Sequence, residues 1–160
     1  MGGHFYGFHV GFPLTSQRHN AILVVVDKLT KISHFIPVRD TYDVTDVARV
    51  FISEVIRLHG LPTKIISDRD SRFTSRFWTS LQSALGTQLN LSTAYHPETD
   101  IQTERVNQVM ENMLRMYVMD NQTQWERYLP LVEFAYNNSY HSSIGMPLIK
   151  IYMGGHVGHH

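Results

Sequence analysis

Cysteine is absent from this 160-residue chain, which excludes disulfides and thiolate zinc sites. No run approaches the roughly 18 apolar residues that cross a bilayer. The chain does not open on a charged-then-apolar secretory pattern, so no membrane partner is expected and intracellular residence fits. A dominant charge is also lacking, since 14 Lys and Arg balance 14 Asp and Glu. Free-standing DNA binders are usually basic, because phosphate contacts supply much of their affinity, and tight DNA binding by this stretch alone is not expected. One further shortage is local: no acidic residue precedes Asp27.

What is present fits one domain with a full core, 42% apolar by composition. Phe5 to Phe12 is apolar and aromatic enough for a strand. Ala21 to Val26 is a β-branched run of the kind buried on both faces of a sheet. Ile32 to Val38 follows as a third strand, with Pro37 marking an edge or an end. The three runs read as an antiparallel meander. The pattern predicts a helix over Asp43 to Leu58, capped by Asp43 or Thr45, with Val47, Val50, Phe51, Val55 and Leu58 on its apolar face. Lys64 to Ser67 is a short strand. A helix from Thr74 to Leu85 turns Phe77, Trp78, Leu81 and Leu85 inward and ends at Gly86. Gln88 to Leu91 is a fifth strand. A long helix covers about Thr99 to Met119, and a last one Trp125 to Tyr136. The order βββαβαβα matches the ribonuclease-H-like fold, a five-stranded mixed α/β sheet flanked by helices.

Two acids stand out, with 35 residues between them. Asp68 ends the apolar run Lys64-Ile65-Ile66-Ser67 at a strand tip, and Glu104 sits in the first turns of the long helix. A strand-end Asp facing a helix-borne Glu can hold divalent metal for phosphoryl transfer, in which two ions about 4 Å apart clamp the attacking and leaving oxygens. Each acid also has a plainer reading: Asp68 as the cap of a turn, Glu104 as a solvated helix acid. Arg69, Arg72, Arg76 and Arg105, with Tyr95 and His96, form a candidate rim for phosphates and unpaired bases, although solvated charge explains each arginine singly. Asn107, one turn after Glu104, would orient it or face substrate, and an ordinary polar surface residue is nearly as good a reading. Trp78 and Trp125 read as core or dimer-face residues. Ten histidines are many for this length, yet no pair has zinc-like spacing with other ligands nearby.

Four segments resemble the integrase catalytic core of LTR retrotransposons, closest to the gypsy class of the retroviral integrase superfamily. They are Ile22-Leu-Val-Val-Val-Asp-Lys-Leu-Thr-Lys31, Ile66-Ser-Asp-Arg-Asp-Ser-Arg-Phe-Thr-Ser-Arg-Phe-Trp78, Tyr95-His-Pro-Glu-Thr-Asp-Ile-Gln-Thr-Glu-Arg-Val-Asn107 and Leu129-Pro-Leu-Val-Glu-Phe-Ala-Tyr-Asn-Asn-Ser-Tyr-His-Ser-Ser-Ile-Gly145. The resemblance implies a core-like domain over residues 1–150, and the Gly- and His-rich composition of 151–160 reads as a disordered tail offering at most a weak metal site. The resemblance implies Asp68 and Glu104 as catalytic Mg²⁺ or Mn²⁺ ligands, and Arg69, Arg72, Tyr95, His96, Arg105 and Asn107 as nucleic-acid contacts. The implied activity is 3′-end processing and strand transfer on DNA, by a homodimer or larger assembly in the nucleus. The family's zinc-binding and basic flanking modules have no counterpart in this stretch, which therefore reads as a core segment.

The sequence departs from that pattern in three places. The family has a third acid, an Asp, on its first strand; aligned without gaps, that position is Gly7, which supplies no ligand. Metal binding and catalysis are therefore expected to be impaired, and a non-catalytic remnant or a recruited nucleic-acid-binding or dimerisation module is the alternative. Asp27, the earliest acid, is read as a turn residue and not as a replacement. Ile101 stands where the family commonly has Gly, a costly exchange only if that position needs positive φ. Pro147 follows Met146 directly, one residue sooner than in the family, and no function is assigned beyond Ile144.

Overall fold

The computed structural model describes residues 4–9, 11–61, 64–67, 71–86, 92–95 and 101–143, with side chains described over 11–61, 72–86 and 105–140. The expected tail at 151–160 and the boundary at 150 lie outside these residues.

The chain begins with the predicted meander. β1 (His4–His9), β2 (Ala21–Asp27) and β3 (Ser33–Val38) pair antiparallel, β2 lying between the other two. β4 (Lys64–Ser67) then joins β1 in parallel, and β5 (Ser92–Tyr95) joins β4 in parallel. The sheet order is β3-β2-β1-β4-β5. β5 is C-terminal to the expected Gln88–Leu91 run, whose residues lie outside the described set. The shift follows from pairing: Ser92 to Tyr95 takes the register of Lys64 to Ser67, which the local apolar pattern does not encode.

β2 is buried along its whole length, as its β-branched run predicts. Its alternate residues feed two cores. Ala21, Leu23 and Val25 pack with Ile36 and Val38 against Val47, Ala48 and Phe51 of α1 (Val44–Phe51) and Phe77, Trp78 and Leu81 of α3 (Ser71–Leu85). Ile22, Val24 and Val26 pack with Phe35 against Val106, Met110 and Leu114 of α4 (Ile101–Tyr117) and Trp125, Leu129 and Val132 of α5 (Trp125–Ser143). Period-two alternation in a strand thus yields a helix–sheet–helix sandwich. Both tryptophans are core residues, Trp125 being 1% exposed and donating its indole N–H to the Pro13 carbonyl at 2.7 Å.

α1 starts as its residues dictate. Asp43 accepts from the Asp46 amide, and the Asp46 carboxylate accepts from the Asp43 amide, a reciprocal capping box. Farther along, the helix departs from expectation. Ile52–Ile56 is a π turn, followed by one α turn, α2 (Arg57–His59). The wider turn inserts a residue and rotates everything after it. Leu58, expected inward, is 54% exposed, and His59 is turned in.

α5 runs past its predicted end at Tyr136 to Ser143. Asn137 and Asn138 are poor helix formers because their amides compete for local backbone. Asn137 is instead occupied elsewhere. Its Oδ1 accepts from the Ser33 amide at 2.9 Å and its Nδ2 donates to the Ser33 carbonyl at 2.8 Å. One helical turn earlier, Glu133 accepts from the Phe35 amide at 2.8 Å. Ser33, Phe35 and Pro37 are the outward-facing positions of edge strand β3, and Pro37 carries no N–H. Two side chains and one proline therefore occupy or remove the row of donors that would recruit another strand.

Candidate functional site

β1, β4 and β5 are parallel neighbours, and the C-terminal ends of β4 and β5 are level with each other and with Tyr6 inside β1. Tyr6 registers with Ser67, and Ser67 with Tyr95. Asp68 and His96 follow those ends directly in sequence, and Gly7 is the next residue of β1. Residues beyond the carboxyl ends of parallel strands are where α/β sheets place ligands. Asp68, Arg69 and His96 themselves lie outside the described residues.

The face on which position 7 opens is fixed by pairing. Gly7 is opposite Val24, and residues directly opposite in an antiparallel pair share a face. Val24 belongs to the core built on α4 and α5. A side chain at position 7 would therefore project towards the layer that carries Glu104, the fourth residue of α4. The Glu104 side chain lies outside the described set, so the expected convergence of Asp68 with Glu104 does too. Ile101 is the first residue of α4. A helical backbone accepts a β-branched residue, so this departure from glycine carries no positive-φ strain.

Asp27 does not substitute at position 7. It pairs with His4, three residues along β1 from Gly7, or roughly 10 Å at strand rise. It also shares the sheet face of Val25, opposite to that of Val24. Its Oδ1 accepts from the Leu29 amide at 3.0 Å, the turn role expected of it. Its Oδ2 faces His59 Nδ1 at 3.8 Å.

The candidate rim divides. Arg72 and Arg76 are both exposed, one turn apart on α3 just after the Asp68 segment. Tyr95 ends β5, its side chain outside the described set. Arg105 is exposed and stands close enough to Tyr136 of α5 that its charge partly offsets the rise of that phenol's pKa, which burial chiefly causes and Tyr140 augments. Asn107 is half-buried, and its Oδ1 is enclosed without a hydrogen-bond partner, a state that polar groups rarely tolerate without cause. No group of three or more His, Asp or Glu is arranged to hold a metal ion among the described residues.

One polar network was invisible to sequence spacing. His34 of β3 and His59 of α2 meet Nε2 to Nε2 at 2.7 Å. Behind them, Glu133 Oε2 lies 3.4 Å from His34 Nδ1, and Asp27 faces His59. The four residues come from four elements, and the π turn is what brings His59 inward. Burial above all, then the neighbouring His34, lowers the His59 pKa, and Asp27 partly opposes the change.

The sign of the consequence is definite. Between the lowered folded value and the ordinary one near 6.5, the unfolded chain binds more protons at this site than the folded chain does. Stability at this site is therefore full above the ordinary value and declines as pH falls through that window. Chemical denaturation in chelator-treated buffer at pH 7.5 and 5.0 should show a smaller pH difference for His59→Gln than for the starting chain. Identical pH differences would contradict the assignment.

No family model matches this chain. Over 136 residues it is 35% identical to the Transposon Tf2-3 and Tf2-4 polyproteins of Schizosaccharomyces pombe, a match covering 85% of the chain. The chain spans about a tenth of the length of these curated relatives, 10% in each case. Among solved structures, it is similar to the HTLV-2 integrase catalytic core domain in complex with magnesium, with TM-score 0.57, 16% identity, and coverage of 82% of this chain and 83% of that one. The BIV integrase catalytic core domain gives TM-score 0.56 at 17% identity, covering 84% and 83%. A chain of the simian T-cell lymphotropic virus intasome in complex with the PP2A regulatory subunit B56 gamma gives 0.60 at 15% identity, covering 84% and 48%. The chain has the α/β fold of integrase catalytic cores and is related in sequence to one segment of retrotransposon polyproteins.

Proposed function

We propose that this chain is the catalytic-core domain of a gypsy-class LTR-retrotransposon integrase whose metal site is one carboxylate short. The observation that carries the reading is the placement of Gly7. It lies on the central strand, beside the strand that leads into Asp68, on the sheet face covered by the helix of Glu104. Of the three positions in the family pattern, the one without a donor here is residue 7, where the family carries its first acid.

The donor set therefore fits a pair of Mg²⁺ or Mn²⁺ ions incompletely. Asp68 and Glu104 would remain as ligands, but a hard divalent cation needs several anionic or neutral oxygens in near-octahedral array. With Gly7 there, two cations lack charge compensation, and binding is weakened. The DNA reading rests on Arg72 and Arg76 exposed together near the strand ends, and on Arg69, Tyr95, His96, Arg105 and Asn107 by resemblance. Asn107 is a candidate to hold Glu104 in place by donating from its Nδ2; its enclosed Oδ1, an acceptor, has no hydrogen-bond partner. Balanced charge predicts that affinity for retroelement ends and target DNA depends on flanking basic modules and on self-association. Nuclear residence belongs to the same reading.

The test is an oligonucleotide-joining assay with Mg²⁺ and Mn²⁺. The starting chain should join at background level. Robust joining abolished by Asp68→Asn would overturn the impaired site. A second reading, a non-catalytic module, is favoured by the same glycine. It predicts that restoring the acid produces no joining.

A further inference from the structure

Position 7 is where the acidic set falls short, and its surroundings define what would make up the difference. Gly7 lies inside central strand β1 and shares with Val24 the face covered by α4. Asn107 and Glu111 lie one turn apart on α4, and Glu111 lines a cleft with Gly11, Phe12 and Pro13, the stretch that follows β1. That stripe of the helix therefore runs along β1, and position 104, one turn before Asn107, continues it. The enclosed Oδ1 of Asn107 has no hydrogen-bond partner. A carboxamide oxygen is one of the neutral ligands that a hard cation takes.

Formate is the smallest group that can stand in for the carboxylate that glycine does not supply. An Asp holds its carboxylate carbon two bonds from Cα, about 2.5 Å away by standard bond lengths and angles. A carbon that is not bonded keeps about 3.5 Å. A formate ion against Cα of residue 7 would thus set its oxygens only about 1 Å beyond those of an aspartate. Acetate, with a methyl group between, stands farther out. Only glycine permits this approach, because any other residue puts its own Cβ there. Charge favours the anion as well: two divalent cations beside two carboxylates leave positive charge that a third anion offsets.

We propose that Gly7 makes metal binding carboxylate-dependent: a small monocarboxylate of formate size binds at residue 7 and supplies the oxygen ligand that the chain lacks. This site rests on the reading of Asp68 and Glu104 as metal ligands, and it adds to them a ligand from solution with a limit on its size. Anion and cation complete each other's site, so their binding is reciprocal. Whatever factor formate adds to metal affinity, the metal adds to formate affinity. Three non-hydrogen atoms hold formate to about millimolar affinity at best, so the effect appears only in buffers rich in the anion.

The experiment is a calorimetric titration of the full chain with Mn²⁺, in about 0.2 M sodium formate and in sodium chloride of equal ionic strength. Formate should tighten Mn²⁺ binding about tenfold or more, within the usual range of coupling between two sites, and acetate should do less. Gly7→Asp should bind Mn²⁺ in chloride at least as tightly as the starting chain does in formate, and gain nothing from formate. Gly7→Val, which fills the place with a side chain that strands accept, should bind weakly in both buffers. Should Gly7→Val melt too low to read, Gly7→Ala takes its place and should at least halve the formate effect. Asp68→Asn should lose that effect. Equal affinity in formate and chloride, alongside tight binding by Gly7→Asp, overturns the carboxylate site and leaves the acidic-site reading standing. Gly7→Asp binding no more tightly than the starting chain in chloride overturns that reading and this site with it. A formate effect undiminished in the Gly7→Val or Gly7→Ala variant puts the anion elsewhere and refutes the site.

Discussion

Gly7→Asp is expected to raise Mg²⁺- or Mn²⁺-dependent DNA joining from background by about 10²-fold or more, the scale on which one pre-positioned electrostatic group contributes to catalysis. The expectation follows from register. Position 7 shares the face of Val24, beneath the α4 layer, and follows Tyr6, which is level with Ser67. An Asp there would supply the third carboxylate that the family pattern carries. The same change should lower stability slightly at neutral pH without metal, because three carboxylates repel, and metal should restore it. The metal-induced rise in melting temperature should therefore be larger in Gly7→Asp than in the starting chain. Joining by the variant should disappear on adding Asp68→Asn or Glu104→Gln. Equal metal shifts, with no joining, would mean that residue 7 does not face the two acids.

Asn137→Ala is the largest stability loss expected outside the apolar cores, about 2–4 kcal/mol, since it orphans a buried donor and a buried acceptor at once. Both belong to Ser33, which is fully buried. Water cannot readily replace the amide there. Glu133→Gln should cost far less, because a neutral carboxamide oxygen can still accept from the Phe35 amide. Ser139→Ala, exposed on the same helix, should change stability by less than about 0.5 kcal/mol. Urea denaturation of the three variants checks the order. Asn137→Ala should also self-associate more readily at high concentration, because β3 is an edge strand whose donors are then uncovered. A loss below that of Glu133→Gln would refute the edge-capping role.

Much of the fold was legible because burial leaves a period in the sequence. The run Ala21 to Val26 announced a strand buried on both faces, and the structure splits it between two cores by alternation. Asp43 announced its helix through its own capping chemistry. The absence at position 7 was equally a matter of sequence, since glycine offers no ligand in any fold. Period, however, records which face is buried and not what it is buried against. Only the strand order β3-β2-β1-β4-β5 brings the ends of β4 and β5 level with Tyr6, next to Gly7 in β1. Only the π turn exchanges Leu58 for His59 on the inward face, because an inserted residue breaks the period that reveals the rest of the helix. The pairing of Asn137 with Ser33 spans 104 residues, and His34 meets His59 across 25. Such contacts leave no local signature: hydrogen bonds between side chains and distant backbone depend on where the tertiary fold sets two elements down, and there the sequence alone is silent.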